Sequence, residues 1–319
     1  MYRLGIDLGG TNIVAAIVDE NYKIISKAKR KTNAKRPIEE IVADIAATAL
    51  EVIENAGLKI ADIESAGIGV PGSVDPMNGI LCNANNLGES GGFNVPIIKM
   101  LKDHLPLDFN IVNDADAAAF GEFVAGSGKD ANNFIMITLG TGIGGGIIIN
   151  NNLYSGSNFA GGEVGHMVIY ADGENCNCGR RGCWEAYASV TALIEQTKKA
   201  MADYPDNIMW EICDKDIDKV NGTTAFVAMR NGDALAKEVV KKYIDYISIG
   251  IVNVINIFQP DVICIGGGIS KEGDTLLLPI REYANNEDYA RNEEKTTEIK
   301  IATLGNDAGL IGAAFFCGL

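Results

Sequence analysis

The 319-residue chain predicts a two-domain α/β protein in which mixed sheets are flanked by helices. Three observations lead to this fold class. Short β-branched stretches alternate with segments of helical periodicity, several of these stretches end in glycine clusters, and a strand–glycine–strand pattern occurs twice. At this length, with 47% hydrophobic residues, more than one core is expected. Open α/β sheets bind ligands at the carboxyl ends of their strands, where these glycines fall.

The first part of the chain begins with a predicted three-stranded meander made of "RLGIDLG", "NIVAAIVDE" and "YKIISKAKRKT". A helix follows from about Ile38 to Asn55, because apolar residues recur there every three or four positions, and Gly57 ends it. "SAGIGVPG" and "FNIVNDAD" are then predicted strands, and "AAAFGEFVAG" is a predicted helix. This order predicts a sheet with helices packed on it.

The second part of the chain restarts the opening pattern with "NFIMITLGTGIGGGIIINNNLYSG". "IDLGGTN" and "ITLGTGI" share the pattern I-x-L-G, but the similarity is short, so a real internal repeat and a chance resemblance both stay open. A mixed helical region at 187–232 precedes a long helix from Asp233 to Phe258, which Pro260 ends. "DVICIGGGIS" and "EIKIATL" are predicted strands, and "DAGLIGAAFF" is a closing helix of small residues.

The formal net charge of −15 excludes several classes of partner. Because such an acidic chain repels phosphate backbones and anionic membranes, neither nucleic acid nor a membrane is an expected partner. No apolar stretch reaches about eighteen residues, and the N-terminus lacks the pattern of a signal peptide. Four of the seven cysteines are scattered. We therefore expect a reduced, cytoplasmic protein with one metal-type cysteine cluster and no disulfide framework.

Three glycine clusters follow predicted strands: "DLGGTN" (Asp7–Asn12), "TLGTGIGGG" (Thr138–Gly146) and "GGGIS" (Gly266–Ser270). Glycines let backbone N–H groups approach phosphate oxygens, and Thr11 adds a hydroxyl. Each cluster alone is compatible with an ordinary turn, whereas three in one α/β chain favour a nucleotide site. The chain has no Walker A motif, and "DLGGTN" lies between two strands, so it is not a Rossmann fingerprint.

The stretch "NDADAAAFGE" offers a candidate general base. Asn113 and Asp114 fall at the end of a predicted strand, where a carboxylate can take a proton from a substrate hydroxyl. An aspartate in front of a helix can equally be its cap. We expect Asp116, nearer the helix start, to cap the helix, and Asp114 to be the base.

Cys176, Cys178 and Cys183 form the pattern C-x-C-x₄-C, and His166 stands ten residues before the first of them. Three thiolates and one imidazole complete a tetrahedral zinc site with no open position, which indicates a structural ion. Free cysteines in a loop are the alternative. A zinc-bound imidazole keeps its second nitrogen as a donor, so His166 can hold zinc and a substrate hydroxyl at once.

The chain resembles the ROK sugar kinases of the actin-like ATPase superfamily. The resemblance runs from "GIDLGGTN" to "GLIGAA", through "GVPGSVD", "NDADAAAFGE", "TLGTGIGGG", "GGEVGH", "CNCGRRGCWE" and "FQPDVICIGGGIS" in that order. It implies the two-domain actin-like ATPase (ribonuclease H-like) fold with an active-site cleft between the domains. The implied smaller domain spans 1–117 and is completed by a C-terminal helix at about 306–319. The larger domain, at 118–305, carries the zinc loop.

The same resemblance implies the cofactors and residues of a hexose kinase that uses ATP, Mg²⁺ and a structural Zn²⁺. Asp114 would be the catalytic base, and Asp7 would help to organise Mg²⁺. The sugar would be bound by Gly72, Asn113, Asp114, Glu163, His166 and Glu185. The nucleotide would be bound by Gly9, Gly10, Thr11, Asn12, Thr138, Gly140, Thr141, Gly142, Gly266, Gly267 and Gly268. Zinc would be held by His166, Cys176, Cys178 and Cys183.

Glucose is the expected substrate by this resemblance, with a place in glycolysis and a homodimeric state. The alternatives are a kinase for N-acetylmannosamine, N-acetylglucosamine, fructose or allose, polyphosphate as donor, or a sugar-sensing regulator. Regulators of this family carry an N-terminal helix-turn-helix domain, for which a first strand at about Tyr2 leaves no room. One departure is Asp116, where many members have asparagine; its charge could raise the pKa of Asp114.

Overall fold

The structure is a computed structural model, and it describes residues 1–84, 87–89 and 91–316. Its strands are β1 (Tyr2–Leu8), β2 (Asn12–Asp19), β3 (Ile24–Lys31), β4 (Ile63–Val70), β5 (Ser73–Asp75), β6 (Ile80–Ala84), β7 (Gly92–Val95), β8 (Phe109–Asn113), β9 (Phe134–Leu139), β10 (Ile143–Ile149), β11 (Asn152–Leu153), β12 (Val262–Gly266) and β13 (Glu298–Ile301).

Helices fill the connections between these strands. The α-helices are α1 (Ile38–Asn55), α2 (Ile97–His104), α3 (Asp114–Ala125), α4 (Glu185–Ala188), α5 (Val190–Asp203), α6 (Met209–Ile212), α7 (Thr224–Arg230), α8 (Ala234–Phe258), α9 (Asp274–Glu287) and α10 (Ala308–Phe315). Short 3₁₀ helices lie at Ile60–Asp62, Val164–His166, Ile217–Lys219, Gly268–Glu272 and Gly305–Asp307. Among the described residues, no helix combines the length and the apolar character needed to cross a membrane.

By its contacts the described chain divides into two compact units. The first unit comprises residues 1–135, 146–162 and 303–316, and the second comprises 136–145 and 163–302. Strands β9 and β10 therefore each contribute to both units. The domain boundary after residue 117, with residues 306–319 completing the first domain, stays a prediction, and residues 317–319 lie outside the described chain.

The first unit is built on a five-stranded sheet with the order β3-β2-β1-β4-β8. β1 pairs antiparallel with β2 and parallel with β4, and β4 pairs parallel with β8. Helix α1 packs its apolar stripe, with Ile41 and Ile45 fully buried, into the core cluster formed by β1 residues such as Leu4 and Ile6. The predicted amphipathic helix from Ile38 to Asn55 is therefore confirmed at both ends.

Helix α10 lies against this sheet at backbone contact distance. A Cβ added to Gly5 would come within 1.9 Å of the Leu310 carbonyl oxygen, and one added to Gly67 within 1.8 Å of the Ala313 oxygen. Only glycine fits such a close approach. The predicted closing helix of small residues thus packs its backbone closely against glycines in β1 and β4. Through this packing, helix α10 is part of the first unit.

The second five-stranded sheet has the order β11-β10-β9-β12-β13, and β12 pairs parallel with β13. In both sheets the first three strands lie in reverse chain order, and the fourth strand pairs on the other side of the first one. The strand order of the first sheet is therefore repeated in the second. The short I-x-L-G similarity corresponds to equivalent positions in this repeat, at the ends of β1 and β9.

Helix α8 begins and ends where its flanking residues predict. The Asp233 carboxylate accepts a hydrogen bond from the backbone N–H of Ala236 at 2.8 Å, which caps the first turn. At the other end, Gln259 adopts a left-handed conformation with φ of 43°, and Pro260 follows it. The strand β12 then carries the third glycine cluster.

Candidate active site

Two carboxylates of the first unit influence each other. Asp7 lies near the end of β1, and Asp114 is the first residue of α3, directly after β8. Desolvation by the surrounding protein, and next the charge of Asp114, raise the pKa of Asp7 to about 6. Asp114 is accessible to solvent, yet the protein around it still raises its pKa, against the opposing effect of hydrogen bonds from backbone N–H groups. Two disfavoured negative charges fit a site for a cation such as Mg²⁺.

The expectation that Asp116 caps α3 is wrong. The cap is Asn113, whose Oδ1 accepts hydrogen bonds from the N–H of Ala115 at 2.9 Å and of Asp116 at 3.3 Å. An asparagine just before a helix is as good a cap as an aspartate, so residue type could not decide between them. The pKa of Asp114 is raised, as the sequence suggested, but desolvation is its main cause rather than the charge of Asp116.

Asn113 also ties the start of α3 to the loop after β4. Its Nδ2 donates to the Gly72 carbonyl oxygen at 2.8 Å. Gly72 has φ of 84°, and a Cβ there would lie 1.8 Å from the Asn83 oxygen. Gly72 is thus needed by the fold, and its contact with a sugar stays a prediction. One N–H of the Asn113 amide remains for another acceptor.

The first glycine turn, residues 9–11, joins β1 to β2. Gly9 donates to the Asn12 carbonyl oxygen at 2.9 Å, and the Thr32 hydroxyl donates to the Gly9 oxygen at 2.6 Å. Around Gly10, no described residue beyond its neighbours has an atom within 4 Å of an added Cβ. The Asn12 Oδ1 atom is buried, and no donor in the described part of the chain reaches it. The open backbone and the orphan acceptor both fit a hydrated phosphate–metal group.

The second glycine turn, residues 140–142, joins β9 to β10 in the second unit. Gly140 donates to the Gly142 oxygen at 3.0 Å, and Gly140 also has open space where a Cβ would stand among the described residues. Gly142 differs, because its Cβ would lie 2.3 Å from the Glu185 carboxylate. Thr138 lies in β9 before the turn, and Thr141 is exposed within it. Open backbone on the turn fits phosphate oxygens.

The third glycine cluster follows β12. Gly267 has φ of 90°, and a Cβ there would lie 2.1 Å from the Leu139 oxygen, so the fold itself requires this glycine. Gly266 is likewise crowded, by the Met136 side chain at 2.5 Å. At Gly268 the space within 4 Å is open in the described part of the chain. Of the three, Gly268 is the position where a ligand approaches without obstruction.

The cysteine–histidine cluster, defined as His166, Cys176, Cys178 and Cys183, comes together as predicted. Its four ligand atoms all lie within 4.8 Å of one another. Cys178 and Cys183 have their Sγ atoms 3.7 Å apart, and His166 Nδ1 lies 3.6 Å from Cys176 Sγ. Ligands at about 2.3 Å from a tetrahedral zinc lie about 3.8 Å apart, so the cluster fits zinc.

The loop of the cluster turns sharply between its cysteines. Gly179 and Gly182 both have positive φ, of 85° and 78°, a conformation that glycine adopts without steric cost. Burial and the neighbouring thiols raise the pKa of Cys183 to about 12, so a bound divalent cation is needed to hold this thiolate. Because His166 turns Nδ1 to the cluster, Nε2 is the nitrogen left for another partner.

The two glutamates of the cluster region lie in different environments. Glu163 is exposed, and its carbonyl accepts from the His166 N–H at 3.1 Å, just before the 3₁₀ helix. Glu185 opens α4, and its Oε2 accepts from the Ile143 N–H at 2.9 Å. The sequence did not indicate this second role, because 42 residues separate Glu185 from Ile143. Val190 and Thr191, which also contact the second turn, carried no sequence signal either.

The predicted site residues therefore form two sets. The first unit holds Asp7, Gly9, Gly10, Thr11, Asn12, Gly72, Asn113 and Asp114, and the second holds Thr138, Gly140, Thr141, Gly142, Glu163, His166, Cys176, Cys178, Cys183, Glu185, Gly266, Gly267 and Gly268. That both sets line one cleft stays a prediction.

Similar proteins identify the family. The chain is 35% identical over 312 residues to the glucokinase of Thermotoga maritima, a match that covers 98% of this chain and 95% of that protein. It is also 31% identical over 317 residues to the xylose repressor of Bacillus spizizenii, covering 98% of this chain and 75% of the repressor.

A solved structure agrees with these relatives. The ROK family glucokinase from Streptomyces griseus, crystallised with glucose and AMPPNP, is 34% identical to this chain, with a TM-score of 0.80 over 98% of both chains. The predicted actin-like ATPase fold is thereby confirmed. Because a model of the ROK family matches residues 3–317, the chain belongs to the ROK family.

Proposed function

We propose that this protein is an ATP-dependent sugar kinase that phosphorylates glucose to glucose 6-phosphate. The observation that carries the proposal is the pair Asp7 and Asp114 in one unit with an open glycine turn next to β1. Such a pair supplies a cation site and a base, which are what transfer of a phosphoryl group to a hydroxyl requires. The relatives named glucokinase, at 35% identity, support the choice of glucose.

The glycine turns act on the phosphates of the donor. A Cβ added at Gly10 or Gly140 would meet no atom within 4 Å in the described chain, so phosphate oxygens can approach the backbone of both turns closely. Mg²⁺, when bound, supplies charge neutralisation and a set of oriented water molecules. Asp7 would accept hydrogen bonds from such waters, and the buried Asn12 Oδ1, which no described donor reaches, would take a further one. Positioning and neutralisation account for most catalysis of this kind.

Asp114 removes the proton from the attacking hydroxyl. As the hydroxyl oxygen bonds to phosphorus, the bond between phosphorus and the diphosphate oxygen breaks, and the proton passes to the Asp114 carboxylate. This step needs Asp114 in its ionised form. Burial raises the pKa of Asp114, which makes its carboxylate a stronger base than a free aspartate.

The sugar hydroxyls, each a donor and an acceptor, call for both kinds of partner. The second N–H of the Asn113 amide has no acceptor among the described residues and can donate to the sugar, as can His166 Nε2, while Glu163 and Glu185 accept. Zinc at the cysteine–histidine cluster has four protein ligands and therefore a structural role in this proposal. It fixes the ring of His166 and the start of α4, from which Glu185 projects.

A sugar-sensing regulator is the second candidate, favoured by the identity of 31% to a xylose repressor. The base distinguishes the two, because a sensor needs only to bind the sugar. Kinases for N-acetylmannosamine, N-acetylglucosamine, fructose or allose, and polyphosphate as donor, remain alternatives within the kinase class. Cytoplasmic location, a role in glycolysis and a homodimeric state are part of the proposal and rest on the family resemblance.

The test is a coupled ADP-release assay with purified protein over a panel of hexoses and N-acetylhexosamines. We expect the highest kcat/KM with glucose, and loss of turnover in Asp114→Ala with sugar binding retained. If none of the sugars in the panel causes release of ADP, the sensor is favoured over the kinase. Full activity in Asp114→Ala would show that another group is the base.

A further inference from the structure

The segment that leaves the cysteine–histidine cluster also holds the second glycine turn. This segment, residues 183–191, is called here the bridging segment. Glu185 Oε2 accepts from the Ile143 N–H at 2.9 Å, and the Val190 N–H donates to the Gly140 oxygen at 2.8 Å. The hydroxyl of Thr191 donates to the Thr141 oxygen, also at 2.8 Å. Two of these hydrogen bonds thus reach the turn itself, and the third reaches Ile143, the residue directly after it.

At its other end, the bridging segment is anchored in the cluster. Cys183 is fully buried, with Sγ 3.7 Å from that of Cys178. Next to it, the Trp184 indole is buried, and its Nε1 donates to the Tyr246 oxygen at 2.8 Å. Glu185 completes the link, because its Oε1 lies 3.9 Å from Cys176 Sγ while Oε2 holds the turn.

The turn depends on these contacts for its position. Its own backbone closes with the single hydrogen bond from Gly140 to Gly142, and Gly140 has open space beside it in the described chain. Gly142 fits against the Glu185 carboxylate so closely that a Cβ would come within 2.3 Å of it. A shift of the bridging segment would therefore shift the backbone N–H groups of the turn.

We propose that the bridging segment positions the second glycine turn for the phosphoryl donor, so that metal binding at the cluster sets donor affinity as well as sugar affinity. Glu185 and Thr191 are positioning residues in this scheme. The proposal rests on the proposed function in one respect, namely that the turn binds a nucleotide. A purely sugar-side role for the metal would leave donor affinity unchanged.

The test measures the Kd of AMPPNP with Mg²⁺ by titration calorimetry, without sugar, on the zinc-loaded protein. Thr191→Val removes the hydroxyl with little change of shape at an exposed position, and Thr191 is neither a cluster ligand nor the proposed base. Loss of one hydrogen bond predicts a weakening of about two- to tenfold. Thr191→Ser keeps the hydroxyl and should restore wild-type affinity. The Kd of glucose should be unchanged in both variants.

The matched control is Thr223→Val. Thr223 is also exposed, and its hydroxyl donates to Asn221 Oδ1 at 2.7 Å, far along the chain from the turn. It makes the same chemical change and should leave the Kd of AMPPNP as in the wild type. Equal weakening in Thr191→Val and Thr223→Val would overturn the proposal.

The metal is tested with the same readout. Removal of zinc by a chelator, with metal content measured on each sample, should weaken AMPPNP binding by wild-type protein. In Thr191→Val the further loss should be smaller, because the two changes act through one path. Unchanged AMPPNP affinity in the zinc-free protein would overturn the proposal alone. Absence of AMPPNP binding by zinc-loaded wild type would overturn the proposed function, and this proposal with it.

Discussion

At the scale of single residues, the glycines of the three clusters separate into two kinds. Gly267 is required by the fold, because its φ is 90° and a Cβ would collide with the Leu139 oxygen. Gly10 and Gly140 have neither constraint, since the space beside them is open in the described chain. A glycine without a structural reason, at a predicted ligand site, is best explained by what binds there.

This distinction predicts different effects of the same substitution. Gly10→Ala should raise the KM for ATP at least severalfold, because the methyl group would occupy space needed by phosphate oxygens, while the thermal midpoint stays near that of the wild type. Gly267→Ala should instead lower the thermal midpoint, because of backbone strain and overlap. Both are measured by thermal unfolding and initial rates. A KM unchanged in Gly10→Ala would argue against the first turn as the phosphate site.

Asp7 makes stability depend on pH. Its pKa is about 6 in the folded protein against 3.8 for an exposed aspartate, so between these values the folded state holds a proton that the unfolded state has lost. The contribution of Asp7 to the free energy of unfolding is greatest below pH 3.8 and is lost as the pH rises through 6. Asp7→Asn should therefore unfold at a higher temperature than the wild type at pH 7, with catalysis impaired.

The measurement is the free energy of unfolding from urea titrations between pH 4 and 7. The slope should be shallower in Asp7→Asn than in the wild type. Asp103→Asn, at an exposed position of α2, serves as the control and should keep the wild-type slope. Identical slopes in all three proteins would show that Asp7 does not titrate in this range.

Sequence patterns predicted the identity of the site residues well. They predicted the contacts of these residues less well. Asp114 and the cluster ligands could be named because their motifs are local. The cap of α3 could not, since Asn113, Asp114 and Asp116 are all suitable residue types and only the backbone conformation selects one. The bond from Glu185 to Ile143 joins distant residues, so no local pattern carries it.

At the scale of elements, the start of α3 combines a cap and the base in adjacent positions. Asn113 accepts from two N–H groups of the first turn and donates to the loop at Gly72. The orientation of Asp114 therefore follows from the same residue that begins the helix.

Asn113→Ala should lower the free energy of unfolding by about 1 kcal/mol, the usual effect of losing a cap. It should also lower kcat, because Asp114 loses its fixed neighbour. Asp233→Ala removes the cap of α8, and it should lower stability similarly and leave kcat unchanged. Urea unfolding and steady-state kinetics at a temperature where all variants are folded give the comparison. A normal kcat in Asn113→Ala would show that the cap of α3 does not influence the catalytic role of Asp114.

The cluster loop is a second element with two connected roles. Cys178→Ser should lower the zinc content and raise the Kd of glucose, because His166 loses its fixed orientation. Cys82→Ser, outside the cluster, makes the same chemical change and should affect neither. Metal analysis and calorimetry check both values. Zinc loss with an unchanged Kd would show that His166 does not link the metal to the sugar.

The strands and helices themselves were largely predictable, because their periodicity is strong. α1 and α8 agree with prediction within a residue, since apolar stripes and capping residues both mark their ends. The short internal similarity was different. Three shared residues, an isoleucine, a leucine and one glycine, cannot prove a repeat, whereas the equal order of strands in two sheets shows one.

At the scale of the whole molecule, the compact units do not follow chain order. Residues 146–162 and 303–316 join the first unit after the chain has already contributed to the second. Sequence reasoning predicted only the last of these returns, because composition changes little along the chain. Local periodicity identifies the helices and strands. It does not determine which distant elements of the chain pack against each other.

Helix α10 has a consequence for how the protein is made. Its backbone touches Gly5 and Gly67, which lie in the first and fourth strands of a sheet that the ribosome synthesises early. The helix follows the whole second unit in the chain. The face of the first sheet that α10 covers is therefore exposed while the entire second unit is synthesised and can fold. Until helix α10 has been synthesised this face stays exposed, so a chain truncated before residue 308 should lose the first unit rather than the second.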